Sequence, residues 1–149
     1  MSNRITAITL HRPWALWVRM GWKPIETRLH ARFACLEGSR IAIHAGLQWD
    51  KTAIVKAWPL LNAEQLAMTQ QWESEDAFAG QIVALADVRW ASWLDANPEA
   101  SARAMIDCME TRRFGLALGE IEQVTSTKIK GFQGMFKIDQ DIIERKEER

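Results

Sequence analysis

At 149 residues, 48% apolar and 26% charged, the chain has the size and composition of one globular domain with a proper core. No apolar run reaches the length of a membrane span and the N-terminus carries no charged-then-apolar leader pattern. Cys35 and Cys108 stand in no metal or redox spacing, so a reduced cytoplasmic domain with no metal and no cofactor is expected.

The zero net charge conceals a polarity. Up to Lys56, nine basic residues face only Glu26, Glu37 and Asp50, and the rest of the chain carries the balancing negative surplus. Such segregation suits an anionic partner, or else an internal match between the two parts.

In chain order, Arg4 to Leu10 is β-branched and roughly alternating, a first strand. Pro13 then suits the opening of a helix that runs to Met20. That helix is apolar nearly all round, hence buried on most sides, with Arg19 expected at its one wet edge. Trp14 and Trp17 share a helical face and read as core. Gly21 is the natural cap.

Pro24 to Leu29 reads as a second strand, on which Glu26 and Arg28 share a face opposite Ile25 and Thr27. Arg40 to Ala45 is a third, with Ile41 and Ile43 on one face, Ala42 and His44 on the other. Asp50 and Asn62 look like helix N-caps, the latter with Gln65 completing a capping box, for short helices at about 51–58 and 63–73. Glu73 to Asp76 reads as solvated loop.

Gly80 to Trp90 is apolar on both faces in its middle, hence a central strand. Asn97-Pro98-Glu99 opens another helix, with Ala104, Met105, Cys108 and Met109 as its buried stripe. Phe114 to Leu118 is a strand whose phase slips at Gly119, the mark of a bulge or barrel corner, so that Ile121 becomes the next inward residue. Gln133 to Ile138 is the last strand, with Phe136 and Ile138 inward. From Asp139 a charged tail suggests a helical turn or two. Strands interleaved with helices and the bend at Gly119 predict an α+β chain, a closed or nearly closed β-barrel with flanking helices.

The chemistry concentrates between His11 and Arg28. Leu10-His-Arg-Pro-Trp-Ala-Leu-Trp followed by Gly21-Trp-Lys-Pro-Ile-Glu-Thr-Arg28 resembles the opening signature of the ASCH domain family. Three further segments resemble that family in the right order: Ile41-Ala-Ile-His-Ala45, Gly80-Gln-Ile-Val-Ala-Leu-Ala-Asp-Val88, and Lys130-Gly-Phe-Gln-Gly-Met-Phe136. Together they span residue 5 to about 138. The resemblance implies a single ASCH domain over 1–149 with a PUA-like β-barrel, in a superfamily associated with RNA and modified nucleobases. Its cleft is bordered by the first helix, the Gly-x-Lys turn and the barrel mouth. The stretch from about 47 to 79 aligns with nothing in the family and reads as a helical insertion.

Within that frame each residue carries more than one reading. Lys23 either pairs with Glu26 or stands as a cation that holds a phosphate or polarises a carbonyl. Glu26 either accepts hydrogen bonds from the amino group of a base, acts as a general base, or is locked by Arg28 in a bidentate pair. Trp22 either stacks on a base or caps the barrel. His44 is expected as a hydrogen-bonded rim histidine more than a ligand contact. Lys130, with Lys128 and the Gly131/Gly134 pair, either approaches phosphates or makes a plain turn.

The candidate ligand-binding set is therefore Trp22, Lys23, Glu26, Arg28, His44 and Lys130. The first reading is a module for single-stranded RNA, other single-stranded nucleic acid or a modified nucleoside. The alternative is a small hydrolase acting on N4-acylated cytidine or RNA through Lys23 and Glu26. The resemblance extends to small ASCH-type proteins that hydrolyse N4-acetylcytidine with a lysine, a threonine and a glutamate. Lys23 matches their lysine, but Glu26 occupies the position of their threonine, which shifts the expectation from catalysis towards recognition.

Overall fold

The computed structural model describes residues 3–57, 60–94, 98–106 and 112–145. Its elements in order are β1 (Arg4–Arg12), α1 (Trp14–Arg19), β2 (Ile25–Arg28), β3 (Arg40–Trp49), α2 (Ala53–Ala57), α3 (Ala63–Glu75), β4 (Ile82–Trp93), α4 (Pro98–Ala104), β5 (Phe114–Ser126), β6 (Met135–Asp139) and β7 (Ile143–Arg145). Short 3-10 turns at Ala34–Leu36 and Gln140–Ile142 complete the set.

The strands form one sheet in the order β2-β5-β4-β3-β1-β6, with β7 added to β5. Among the described strands only the β1–β3 pair is parallel, Ile8 standing opposite Ile43. The expected alternation holds in β3. Ile41, Ile43 and Ala45 join Ile8, Leu10 and Leu16 in one cluster, while Ala42 joins Ala7, Leu85 and Ile138 in another. As its double-sided apolar run required, β4 is central, between β3 and β5.

The sheet curls into a half-barrel of an α+β fold, and it does not close. Two short strands explain the gap. The four residues of β2 reach only the first part of β5, around Ala117, and the three of β7 pair only with Val124–Ser126. Neither meets β6, so β2 and β6 remain the two ends of the sheet. The expected bulge at Gly119 is present. Leu85 faces Glu122 while Asp87 faces Gly119, which leaves one extra residue on β5, with Glu120 at φ 45°. That kink lets one long strand serve two partners on either side of the bend.

Helix α1 is buried all round. Leu16 and Val18 pack on the sheet, while Trp17 turns away from it to meet Ala53, Ala57, Leu61 and Met105. The Trp17 indole N–H donates to the Thr69 hydroxyl at 3.0 Å, which satisfies its one polar atom. Gly21, at φ 76°, ends the helix as expected and turns the chain so that Trp22 and Lys23 both donate their N–H to the Trp17 carbonyl.

Arg19 is not at a wet edge. It is buried, its guanidinium 4.6 Å from the centre of the Phe78 ring, and desolvation lowers its pKa from the ordinary arginine value. The ring face replaces part of the lost hydration.

The region after β3 holds the two expected helices, and Asn62 and Gln65 form the reciprocal capping box. The acidic Glu73–Asp76 stretch is not a loop: α3 continues to Glu75, and Asp76 adopts a left-handed cap. Its carboxylate lies 2.7 Å from Nη1 of the buried Arg12, which also donates to the carbonyls of Gly46, Leu47 and Ala77. One arginine thus ties the end of β3 to the end of α3. α4 starts at Pro98 and buries Ala104 and, just beyond it, Met105. Cys108 and Met109 lie outside the described residues. In the described part of the tail, Gln140–Ile142 makes one 3-10 turn of the kind expected, and Ile143–Arg145 then pairs with β5 as a strand. No helix among the described residues is long and apolar enough to cross a membrane.

Candidate functional site

The turn at Gly21 delivers Lys23 into the interior, where it is 1% exposed. Its ammonium donates to the carbonyl of Ala104, lies 3.8 Å from Oε1 of Glu26, and stands 5.0 Å from the centre of the Trp14 ring. Glu26 is nearly as buried, and its Oε1 accepts the Thr27 backbone N–H at 2.7 Å. That contact fixes the carboxylate's orientation and leaves Oε2 without a protein partner among the described residues. Arg28 does not lock Glu26 and makes no ion pair with it. Instead its Nη2 donates to the Thr9 carbonyl at 3.3 Å, its guanidinium lies 5.1 Å from the Phe33 ring centre, and its buried Nε finds no acceptor among the described residues.

These side chains border a cavity of about 170 Å³, walled also by Trp14, Asp50 and Arg113. Pockets for a whole small molecule run to roughly 300–1,000 Å³, so this one suits a single ring. Trp14, expected in the core, is on its wall. The Trp14 indole N–H donates to Asp50 Oδ2 at 2.9 Å. Burial alone would raise the Asp50 pKa. The hydrogen bonds from the Thr52 hydroxyl, Trp14 and the Thr52 N–H, with the Lys56 ammonium 3.8 Å away, outweigh it and bring the group to about 2. Thr27 lines the cavity too, where strict alternation sent it to the other face. β2 is an edge strand, and its consecutive residues Glu26, Thr27 and Arg28 all line the cavity.

Past His11 and Arg28, which border both spaces, the cavity meets a larger groove of about 650 Å³. His44 lies on its floor, 1% exposed. Its Nε2 is 3.0 Å from the carbonyl oxygens of both Gly80 and Ile129, which can only accept, so Nε2 carries the proton and Nδ1 accepts from the Thr9 hydroxyl at 3.0 Å. His44 is therefore an anchor for the segment before β6. Gly131 lies against it so closely that a Cβ would stand 2.7 Å from both Nδ1 of His44 and Oγ1 of Thr9. Lys130 is exposed on the groove, its ammonium 5.7 Å from the Phe132 ring centre. No group of His, Cys, Asp and Glu among the described residues is arranged to hold a metal ion.

The structure thus brings Lys23, Glu26 and Arg28 to one cavity, and Arg28, His44 and Lys130 to the groove that adjoins it. Trp22 borders neither. It packs against Trp72, ring centres 5.6 Å apart, in the cluster under α2 and α3. Trp14, Asp50 and Arg113 on the cavity, and Arg32 and Phe132 on the groove, escaped the sequence reading. Asp50 was legible only as a helix cap, and the groove residues converge from loops far apart in the chain.

No family model and no curated protein matches the sequence. Solved structures do match. The ASCH protein from Zymomonas mobilis is similar with a TM-score of 0.54 at 12% identity, over 91% of this chain and 88% of that one. Two single-substitution variants of the same protein match at TM-scores of 0.52, one at 12% identity over 89% and 88%, the other at 13% over 93% and 91%. The chain has the ASCH fold. Residues from the segments that carry the sequence resemblance lie at both spaces. Trp14, Lys23 and Glu26 wall the inner cavity, His44 and Lys130–Gly134 line the outer groove, and Gly80 supplies a carbonyl that holds His44.

Proposed function

We propose that this ASCH-fold protein binds single-stranded nucleic acid, RNA in first place, by taking one base into the inner cavity with its edge on Glu26. The observation that carries this reading is the state of that carboxylate. It is buried, oriented by the Thr27 N–H, and keeps Oε2 for a hydrogen bond from a donor on the ligand. The exocyclic amine of cytosine or adenine is such a donor. Trp14 offers an aromatic wall, and the cations around the mouth suit the attached phosphates. A base must leave its stack to enter, which favours single strands over duplexes.

The test is a fluorescence titration with nucleosides and short oligonucleotides, in which Trp14, rather than Trp22, reports on the cavity. Glu26→Gln keeps the shape but offers a neutral amide, and hydrogen bonds to charged groups contribute about 1.5–3 kcal/mol. Affinity for cytosine- or adenine-containing ligands should fall roughly tenfold or more, and unchanged affinity would sink the assignment.

A second reading is supported by the 3.8 Å approach of the Lys23 ammonium to Glu26 within a ring-sized cavity. A paired lysine and glutamate can activate water against an N4-acylated cytidine. Chromatography after incubation with acylated cytidines decides it, and absence of turnover removes the hydrolase.

A further inference from the structure

We propose that the outer groove seats a second nucleotide, so that the preferred ligand is a strand of two or more nucleotides rather than a free nucleoside. This deepens the base-binding reading of the inner cavity and rests on it.

Three observations carry it. The first is charge: Arg28, Arg32 and Lys130 line the groove, and no carboxylate does so among the described residues. An anion is the complementary ligand. The second is Arg28, placed where cavity and groove meet, with a buried Nε that has no acceptor among the described residues. A phosphodiester running from a base in the inner cavity to the next residue of the strand would pass this guanidinium and could accept from Nε.

The third is Phe132. It is 53% exposed on the rim of the groove, its ring centre 5.4 Å from that of Phe136, with the Lys130 ammonium close by. Its segment is held in place from below by the His44 contact to Ile129 and by the tight seat of Gly131. An exposed aromatic on an anchored loop beside a cation is a stacking platform for a base. The groove's volume, about four times that of the inner cavity, is more than one phosphate needs.

The test titrates the full chain with cytidine, a cytidine mononucleotide, and tetracytidylates in ribo and deoxy form, using wild type, Phe132→Ala and Phe132→Trp. Binding of a tetranucleotide at least tenfold tighter than of cytidine, in either sugar form, supports the second seat. Phe132→Ala should weaken the tetranucleotide by about 5- to 150-fold and leave cytidine unchanged, and Phe132→Trp should restore it. Equal affinity for cytidine and the tetranucleotide, or an unaffected Phe132→Ala variant, overturns the second seat while leaving the inner-cavity reading intact. No binding by any member of the series overturns both. The length series reads the outcome on wild type even where a variant melts early.

Discussion

Lys23 and Glu26 are three residues apart, and their geometry divides their roles. Lys23 is fully buried, committed to the Ala104 carbonyl and to Glu26, so it serves the cavity as a fixed wall charge. Removing one member of a buried pair costs about 3–5 kcal/mol, because the other charge stays behind. Lys23→Ala should therefore lower the melting temperature by about 10 °C in a thermal scan, whatever it does to binding. A melting temperature within a degree or two of wild type would show that the pair is not holding α4 to β2.

Asp50 offers a pH test of the same wall. Its folded pKa, about 2, lies below the ordinary 3.8, so the stabilisation is complete above the unfolded value and is lost as pH falls through the folded one. Urea unfolding of wild type and Asp50→Asn should differ most above pH 4 and converge towards pH 2. A constant difference across that window would mean that the carboxylate's charge is irrelevant. The spacing Gly-x-Lys-x-x-Glu-x-Arg was legible in the sequence as a charged cluster. That Trp14 and Asp50 complete it was not, because their 2.9 Å contact joins residues 36 apart.

At the scale of elements, local chemistry was readable and distant pairing was not. The Asn62/Gln65 capping box, the Gly21 turn and the Gly119 bulge each depend on neighbours in sequence, and each is present. The tail carries charge at helical spacing, yet it pairs with β5 as β7, a partner some twenty residues away that no local pattern announces. Arg19 was misplaced for a similar reason: Phe78, which covers it, belongs to the segment after α3.

Glycines make the point testable. Gly131→Ala forces a Cβ onto His44 and Thr9, which are themselves fixed by hydrogen bonds. It should cost about 1–3 kcal/mol, read as a drop of several degrees in melting temperature. Gly119→Ala meets first the Arg89 side chain, which is exposed and held by a surface ion pair to Glu120, so moving it aside should change stability by less than about 1 kcal/mol. Equal effects of the two substitutions would refute the anchoring role of His44.

For the molecule as a whole, the charge polarity seen in the sequence resolves into two populations. Arg12 and Arg40 find Asp76, Asp87 and Glu122, an internal match between the two parts. Arg28 and Arg32 line a groove that has no acidic wall among the described residues. The composition could not tell these apart, since both populations are arginines of the same half of the chain. The half-barrel is what separates them. Its open side between β2 and β6 leaves room for the loops after β2 and before β6, and those loops frame the groove.

A ligand held by the groove's cations should bind with a strong salt dependence, whereas a contact to a base edge contributes affinity without counterion release. The decisive measurement is therefore the affinity of wild type and Glu26→Gln for a short single-stranded RNA at several salt concentrations. Two results are predicted together: a loss of roughly tenfold or more for the variant at every concentration, and parallel slopes of log affinity against log salt for the two proteins. Undiminished affinity in Glu26→Gln, or no saturable binding by wild type, would contradict recognition of a base at Glu26.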